Sequence, residues 1–434
     1  MDQATSFSEK DINTIYLKES VPFFTISMAM EEATRCLLCL DAPCSRDCPA
    51  NTHPGDFIRA VRFRNFKGAA EIIRKNNILG GICARVCPHE KMCEMACSRT
   101  GIDKPIQIGR IQRFVTDYEK ATGFKALDTP IATKDKVAMV GSGPASLACA
   151  ASLAMKGYKV TIFEEKEKPG GVMTYGIVPA RLPQYVVDEE IQYVRDLGVE
   201  FVMNTKIGRD LNLSDLKVKG YKAFFLGIGN QAPILLDIPG SDLSGVTNAV
   251  DYLASAKSSE GNIKPGKKVV VIGGGDVAMD CATTSRLLGS DKTMILYRRT
   301  REEAPASKRE MAYCESIGIQ FFYGFKPKEI LGKNGKVNGI TGSGFKDGST
   351  IMLEADTIIF AIGQKPESSV KKLGDIELTP KNGIQADEET YQTNIPNIFS
   401  GGDIVNGGKT IVEAVQVGKI AADNIELFLT KEAK

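Results

Sequence analysis

The hydrophobic period of this 434-residue chain changes once along its length. Through residue 120 apolar positions recur at helical spacing. In GDFIRAVRFRNFKGAAEIIRKNN the residues Phe57, Ile58, Val61, Phe66, Ala69, Ile72 and Ile73 share a face, which predicts helix with a break at Gly68. IGRIQRFVTDYEKA (108–121) predicts a further short amphipathic helix, and the aperiodic TGFKALDTPIATKD after it reads as a domain boundary. At 136 the pattern becomes short continuous apolar runs. KVAMV is a buried strand that enters a glycine turn and helix, GSGPASLACAASLAMKG, and YKVTIFEE is the next strand. The arrangement returns at 267 as KKVVVIGGG, DVAMDCATTSRLLG and KTMILYRR. Two such strand–turn–helix–strand units, about 130 residues apart, predict two α/β dinucleotide-binding domains. KAFFLGIG (222–229) and DTIIFAIG (356–363) close the two halves; IPNIFSGGDI and TIVEAVQVGKIAADNIELFL add a strand, a turn and a last helix.

Composition narrows the class. The length exceeds the roughly 250–300 residues of a single hydrophobic core, so two or three domains are expected. With 43% hydrophobic and 25% charged residues the chain reads as ordinary soluble protein, and a net charge of +2 gives no reason to expect nucleic acid or membrane as partner. No apolar run approaches the ~20 residues of a bilayer span. MDQATSFSEKDINTIY resembles neither a secretory signal nor a transit peptide, so a cytoplasmic location is expected, where thiols stay reduced. Two histidines, His53 and His89, leave little for histidine-based chemistry. Of eleven cysteines, eight lie between Cys36 and Cys97, while Cys149, Cys281 and Cys314 sit in helical patterns as core residues.

The eight fall into two groups: Cys36-x2-Cys39-x4-Cys44-x3-Cys48 before Pro49, and Cys83-x3-Cys87-x5-Cys93-x3-Cys97, with Pro88 directly after Cys87. In two-cluster ferredoxins a close trio of thiolates wraps one cubane and a cysteine before proline reaches the other, which these spacings fit. Structural zinc prefers two short pairs, and a disulfide framework does not suit a cytoplasmic chain of this size. Iron–sulfur ligation is the reading; a non-catalytic zinc-binding scaffold is the rival from a different class.

Each glycine turn has the strand before it and the helix after it that pyrophosphate binding requires. In the first, Gly141 and Gly143 match the fingerprint, Pro144 and Ala145 lead into the helix, and Ser146 replaces the third glycine as a small residue. Glu164, ending the second strand, is placed for a ribose hydroxyl, and Gly171 is a further candidate for the same cofactor. The second turn is Gly273-Gly274-Gly275-Asp276-Val277, with Ala278 third; its strand ends in Arg298 and Arg299 where an acid would suit NAD, which favours the 2′-phosphate of NADP(H). Gly402 and Asp403 of SGGDI, after a strand and before a long helix, are candidates for the flavin.

Taken together, CLLCLDAPCSRDCPA, NFKGAAEIIRKNNILG, CARVCP, VGSGPAS, GIVPARLP, VIGGGDVAMD and SGGDI resemble the iron–sulfur and flavin part of dihydropyrimidine dehydrogenase and the small subunit of glutamate synthase. The likeness is strongest to the flavoprotein subunit of bacterial two-subunit dihydropyrimidine dehydrogenases, in RFRNFKGAAE and PIQIGRIQRFVTD. It implies an α/β fold: a helical N-terminal domain with two 4Fe-4S clusters, then two Rossmann-like, adrenodoxin-reductase-like domains, the second inserted in the first. The expected boundaries are 1–125 for the iron–sulfur domain, 126–235 and 356–434 for the FAD domain, and 236–355 for the NAD(P) domain. The resemblance also implies the ligands. Cys36, Cys39, Cys44 and Cys97 would hold one cluster, and Cys48, Cys87 and Cys93 the other, completed by Gln112. Glutamate synthase subunits usually carry glutamate there, so Gln112 tilts the choice to pyrimidine reduction. Cys83 would be a spare, or the replacement if Gln112 is not a ligand. Bacterial pyrimidine subunits are expected to use NAD(H), whereas Arg298 and Arg299 resemble NADP(H) members, so the nicotinamide stays open.

Hydride transfer needs two aligned rings more than an acid–base side chain. The implied path is NAD(P)H to FAD to the clusters to a partner. No eight-fold strand–helix pattern for an FMN barrel exists here, so the expected partner is a second, FMN-carrying iron–sulfur subunit in a hetero-oligomer. The rival of the same class is a glutamate synthase small subunit or another NAD(P)H:acceptor flavoprotein subunit.

Overall fold

The computed structural model describes residues 14–344 and 349–432. The chain forms two compact units: one from Val21–Met173, Gln184–Asn230 and the stretch from Pro366 onward, the other from the segment up to Ser20, Thr174–Pro183 and Gln231–Lys365.

The first unit opens with helices Ile26–Thr34, Pro54–Arg62, Phe66–Asn76, Gly80–Val86 and Ile108–Thr122. Phe57, Ile58, Val61, Ala69, Ile73, Ile111 and Val115 belong to one core that all of these helices except Gly80–Val86 share. The expected break at Gly68 is corrected. The chain turns at Arg64, whose φ is 60°, and Gly68 lies inside the following helix. Asn65 caps that helix, its side chain accepting from Gly68 N at 2.9 Å, and a Cβ on Gly68 would stand 2.3 Å from Asn65 Nδ2. The glycine accommodates the cap instead of ending the helix.

A parallel sheet follows in the order Ile398–Ser400, Tyr221–Leu226, Lys136–Val140, Lys159–Phe163, Glu200–Val202. Its inner strands are covered on both faces, so Val137–Val140 and Val160–Phe163 are continuously buried. The helix Pro144–Met155 packs on the last helix, Ile411–Glu432. A Cβ on Gly418 of the last helix would meet Ala145 O at 2.2 Å.

No unit boundary falls at 125/126. Buried Arg74 of the helical segment pairs with Glu119 at 2.8 Å and with Glu190 of the helix Gln184–Asp196 at 2.7 Å, while Leu127 N donates to Tyr193 Oη at 3.0 Å.

The other unit holds a second parallel sheet, Val246–Asn248, Thr357–Phe360, Lys268–Ile272, Lys292–Tyr297, Gln320–Tyr323, and an antiparallel sheet of Lys326–Lys333, Lys336–Ser343 and Thr350–Glu354. Thr357–Phe360 pairs with both Val246–Asn248 and Lys268–Ile272, and the chain leaves this unit after Lys365. The short stretch Thr174–Pro183 belongs here too. Arg181 is paired with Asp280 at 2.9 Å, and Val178 and Ala180 pack with Tyr16. Among the described residues no helix is long and apolar enough to cross a membrane.

Candidate functional site

The first glycine turn is a cradle that a side chain would fill. Gly141 has φ of 87°, and a Cβ there would lie 2.7 Å from Gly227 O. Gly143 caps the helix and Pro144 takes its first position, where no amide hydrogen is needed. Ala145 is buried behind them. Gly171, at φ 55°, comes so close that its Cβ would touch Gly143 Cα at 3.2 Å. Bare backbone N–H groups at a helix start are what a pyrophosphate requires, so these residues fit the group. Ser146 is fully buried, its Oγ has no hydrogen-bond partner, and a Cβ on Gly227 would strike it at 2.2 Å.

Glu164 is buried at the end of its strand. Its Oε2 accepts from Ser142 N at 2.8 Å and Ser142 Oγ at 2.5 Å, and its Oε1 from Lys166 N at 3.0 Å. Ser142 Oγ in turn accepts from Gly170 N at 2.9 Å. One carboxylate thus braces both glycine segments, and it keeps lone pairs with which a ribose hydroxyl would be compatible. Ser142 carried no signal in the sequence apart from lying between two fingerprint glycines.

Gly402, at φ 80°, faces the same turn, its Cβ position 3.2 Å from Ala145 Cβ. Asp403 accepts from Lys409 N at 3.2 Å, and burial pushes its carboxyl up. Asn230 Nδ2 donates to Asp403 O at 2.9 Å, while Asn230 Oδ1 is buried with no partner, an orphan acceptor beside the flavin candidates.

In the other unit, Gly273 and Gly274 are equally crowded. Cβ atoms there would meet Ala361 O at 2.2 Å and the Tyr297 ring at 2.4 Å. Gly275 caps the helix Asp276–Leu287, and Asp276 Oδ1 accepts from Ser307 N at 2.8 Å, which fixes the loop over the turn. Val277 is partly exposed at the helix start. Arg298 and Arg299, past the strand end, are exposed and take part in no ion pair among the described residues.

The fold exchanges one cysteine between the two groups of the sequence, Cys97 joining Cys36, Cys39 and Cys44, and Cys48 joining Cys83, Cys87 and Cys93. Cys36, Cys39, Cys44 and Cys97 lie close enough for their charges to interact; burial first, then these neighbours, push the Cys44 thiol up to about 12. Cys48, Cys83, Cys87 and Cys93 form the second group. They line one cavity with Gln112, Asn77, His89 and Val412. Gln112 is buried, and its Nε2 donates to Gly80 O at 2.7 Å, so Oε1 is the side-chain atom with lone pairs to offer a metal. Cys87 is hydrogen-bonded to Cys83 one helical turn earlier, so the two sulfurs stand at one corner of the site. Among the described residues no three of His, Cys, Asp and Glu converge on a single-ion site. A cubane, with irons at separate corners, needs its thiolates apart, and iron offsets the cost of ionising buried thiols. Both groups fit such a cluster.

Residues 135–418 match the family model described as pyridine nucleotide-disulphide oxidoreductase, and residues 13–124 that of dihydropyrimidine dehydrogenase domain II, 4Fe-4S cluster. A homolog of the NAD-dependent dihydropyrimidine dehydrogenase subunit PreT from Salmonella typhi is 43% identical over 420 residues, 95% of this chain and 97% of that one. The NADPH glutamate synthase small chain of Escherichia coli (strain K12) is 34% identical, over 94% of this chain and 92% of its own. Mycobacterium tuberculosis FprA in complex with NADPH shares the fold with a TM-score of 0.60 at 19% identity, covering 69% of this chain and 86% of that one. Family models and relatives agree over nearly the whole sequence, and the chain belongs to the pyridine nucleotide-disulphide oxidoreductase family, as an NAD(P)H-dependent flavoprotein oxidoreductase with a 4Fe-4S domain ahead of its FAD- and NAD(P)-binding folds.

Proposed function

We propose that this chain is the NAD(P)H-oxidising electron-input subunit of a dihydropyrimidine dehydrogenase, feeding an FMN-containing partner that reduces uracil or thymine. The observation that carries the reading is Gln112, an amide among the cysteines of the second cluster site, in a chain 43% identical to a PreT homolog. When bound, FAD takes up hydride from the nicotinamide and the clusters relay single electrons.

In this reading Gly141, Gly143, Pro144, Ala145 and Gly171 receive the FAD pyrophosphate and Glu164 its ribose, with Gly402 and Asp403 on the flavin side. Gly273, Gly274, Gly275, Asp276 and Val277 receive the nicotinamide dinucleotide, and Arg298 and Arg299 are free to meet a 2′-phosphate. Cys36, Cys39, Cys44 and Cys97 hold the first cluster; Cys48, Cys87, Cys93 and Gln112 hold the second. Cys83 stands beside this set as the hydrogen-bonding neighbour of Cys87. Val412, near the start of the helix that follows Gly402 and Asp403, lines the second site, which supports that cluster as the entry point for electrons and the first as the exit.

Anaerobic reduction by NADH and by NADPH, followed by uracil with and without a candidate FMN subunit, tests the proposal. Reoxidation by uracil only with the partner is the expected result. Uracil turnover by this chain alone, or none with any such partner, overturns it. Replacing Arg298 and Arg299 together should weaken NADPH use more than NADH use; equal loss refutes their role.

A further inference from the structure

One lysine joins the flavin-side helix to the second cluster site. Lys419, on Ile411–Glu432, sends Nζ to Ala50 O at 2.7 Å and to Asn76 O at 2.6 Å, each more than 340 residues away in sequence. Ala50 ends the Cys48-Pro49-Ala50 segment, and Asn76 ends the helix Phe66–Asn76, next to Asn77 of the cluster cavity. Thr52 N donates to Cys48 Sγ at 3.4 Å, so the clamped segment also shapes the surroundings of that sulfur. Cys48 lies near enough for its charge to act on the ammonium. No carboxylate pairs with Lys419 among the described residues. Asp423, one turn along its helix, is engaged by Lys156 at 2.6 Å. The helix packs tightly beside the first glycine turn, where a Cβ on Gly418 would come within 2.2 Å of Ala145 O.

We propose that Lys419 is a positioning residue for the second cluster: it holds the segment bearing Cys48 and sets beside that cluster a positive charge that favours its one-electron reduced state. A charge that two carbonyl oxygens fix in a partly buried place is weakly screened, so it acts on a neighbouring site with more force than a surface lysine. The two acceptors belong to the backbone, so the clamp and the charge are separable by substitution. This inference rests on the assignment of Cys48, Cys87 and Cys93 to that cluster.

The test is an EPR-monitored redox titration of the reconstituted full-length protein, with the first cluster as internal reference. Lys419→Met removes clamp and charge, Lys419→Gln keeps a donor without charge, and Lys419→Arg keeps both. In Lys419→Gln the second cluster should be present at wild-type iron content, with reduction disfavoured about tenfold, or ~59 mV for one electron. The first cluster should not move, and Lys419→Arg should match wild type. Loss of the second cluster in Lys419→Met with retention in Lys419→Arg supports the clamp. A second-cluster potential unchanged in Lys419→Gln, or an equal shift of both clusters, overturns the inference. A wild-type protein that holds fewer than two clusters overturns the ligand assignment itself, and the inference with it.

Discussion

Arg74 joins the helical segment to the helix Gln184–Asp196, and its replacement by methionine should show this. The guanidinium is 5% exposed and meets Glu119, 3% exposed, at 2.8 Å and Glu190, 4% exposed, at 2.7 Å. It also donates to Ile78 O at 2.8 Å and stacks 4.5 Å over the Tyr193 ring. Methionine keeps most of the packing and leaves two buried carboxylates facing each other. Removing one partner of a buried pair costs about 3–5 kcal/mol. At roughly 2–4 °C per kcal/mol for a unit of this size, the melting midpoint should fall on the order of 10 °C. The assay is thermal unfolding followed by circular dichroism at one scan rate, from pH 5 to pH 8. Burial already pushes the Glu190 carboxyl up, with Arg74 opposing. Without Arg74 the shift grows. A carboxyl raised in the folded state adds stability below its unfolded value and loses it as pH rises through the folded one. The deficit of Arg74→Met should therefore be smallest near pH 5 and largest at pH 8, and adding Glu190→Gln should recover part of it. A midpoint within about 2 °C of wild type, roughly 1 kcal/mol or less, or a deficit that ignores pH, refutes the reasoning.

Three further outcomes are expected. Glu164→Gln should weaken FAD binding at least tenfold in absorbance titration of the apoprotein, because charge-assisted bonds to Ser142 become neutral ones; unchanged affinity would show that Glu164 is a strand end only. Gln112→Ala should lose the second cluster's EPR signal and about half of the iron, whereas Cys83→Ala should keep both; the reverse pattern makes Cys83 the ligand. Ser146→Ala should raise the melting midpoint, since its buried Oγ lacks a partner at a cost of about 1–3 kcal/mol, while Gly227→Ala should lower it through a clash at 2.2 Å.

Much of this was legible in the sequence because the strands concerned are buried on both faces. KVAMV and KVVVI lie centrally in their sheets, so apolar runs mark them without ambiguity. The cysteine spacing marked two groups of four, but the fold moves Cys97 to the first and Cys48 to the second, an exchange that local spacing does not show. What escaped was long-range or depended on a neighbour. Gly68 read as a breaker since glycine usually is one, yet Asn65 folding over it makes glycine a requirement. The place of Thr357–Phe360 in the second sheet depends on a strand more than 80 residues earlier, which local pattern does not reveal. Asn230 and Lys419 act across 173 and 369 residues. Cys83 joins the second group through one helical turn, a spacing that was visible but that the ligand pattern left without a role.

Ser146 shows how the departure from the fingerprint is absorbed. The third glycine of such a turn exists so that helix and strand can approach closely. Here the helix brings serine, and the space it needs comes from the opposing side, where Gly227 has no Cβ and its own carbonyl closes on Gly141. The glycine requirement has moved across the contact instead of disappearing. A three-glycine pattern read along one segment therefore underestimates this turn, because Gly227 sits in GIG at the end of a different strand. The physical unit of recognition is the pair Ser146 and Gly227, and the cradle at Gly141 and Gly143 stays open for a pyrophosphate as long as that pair remains small.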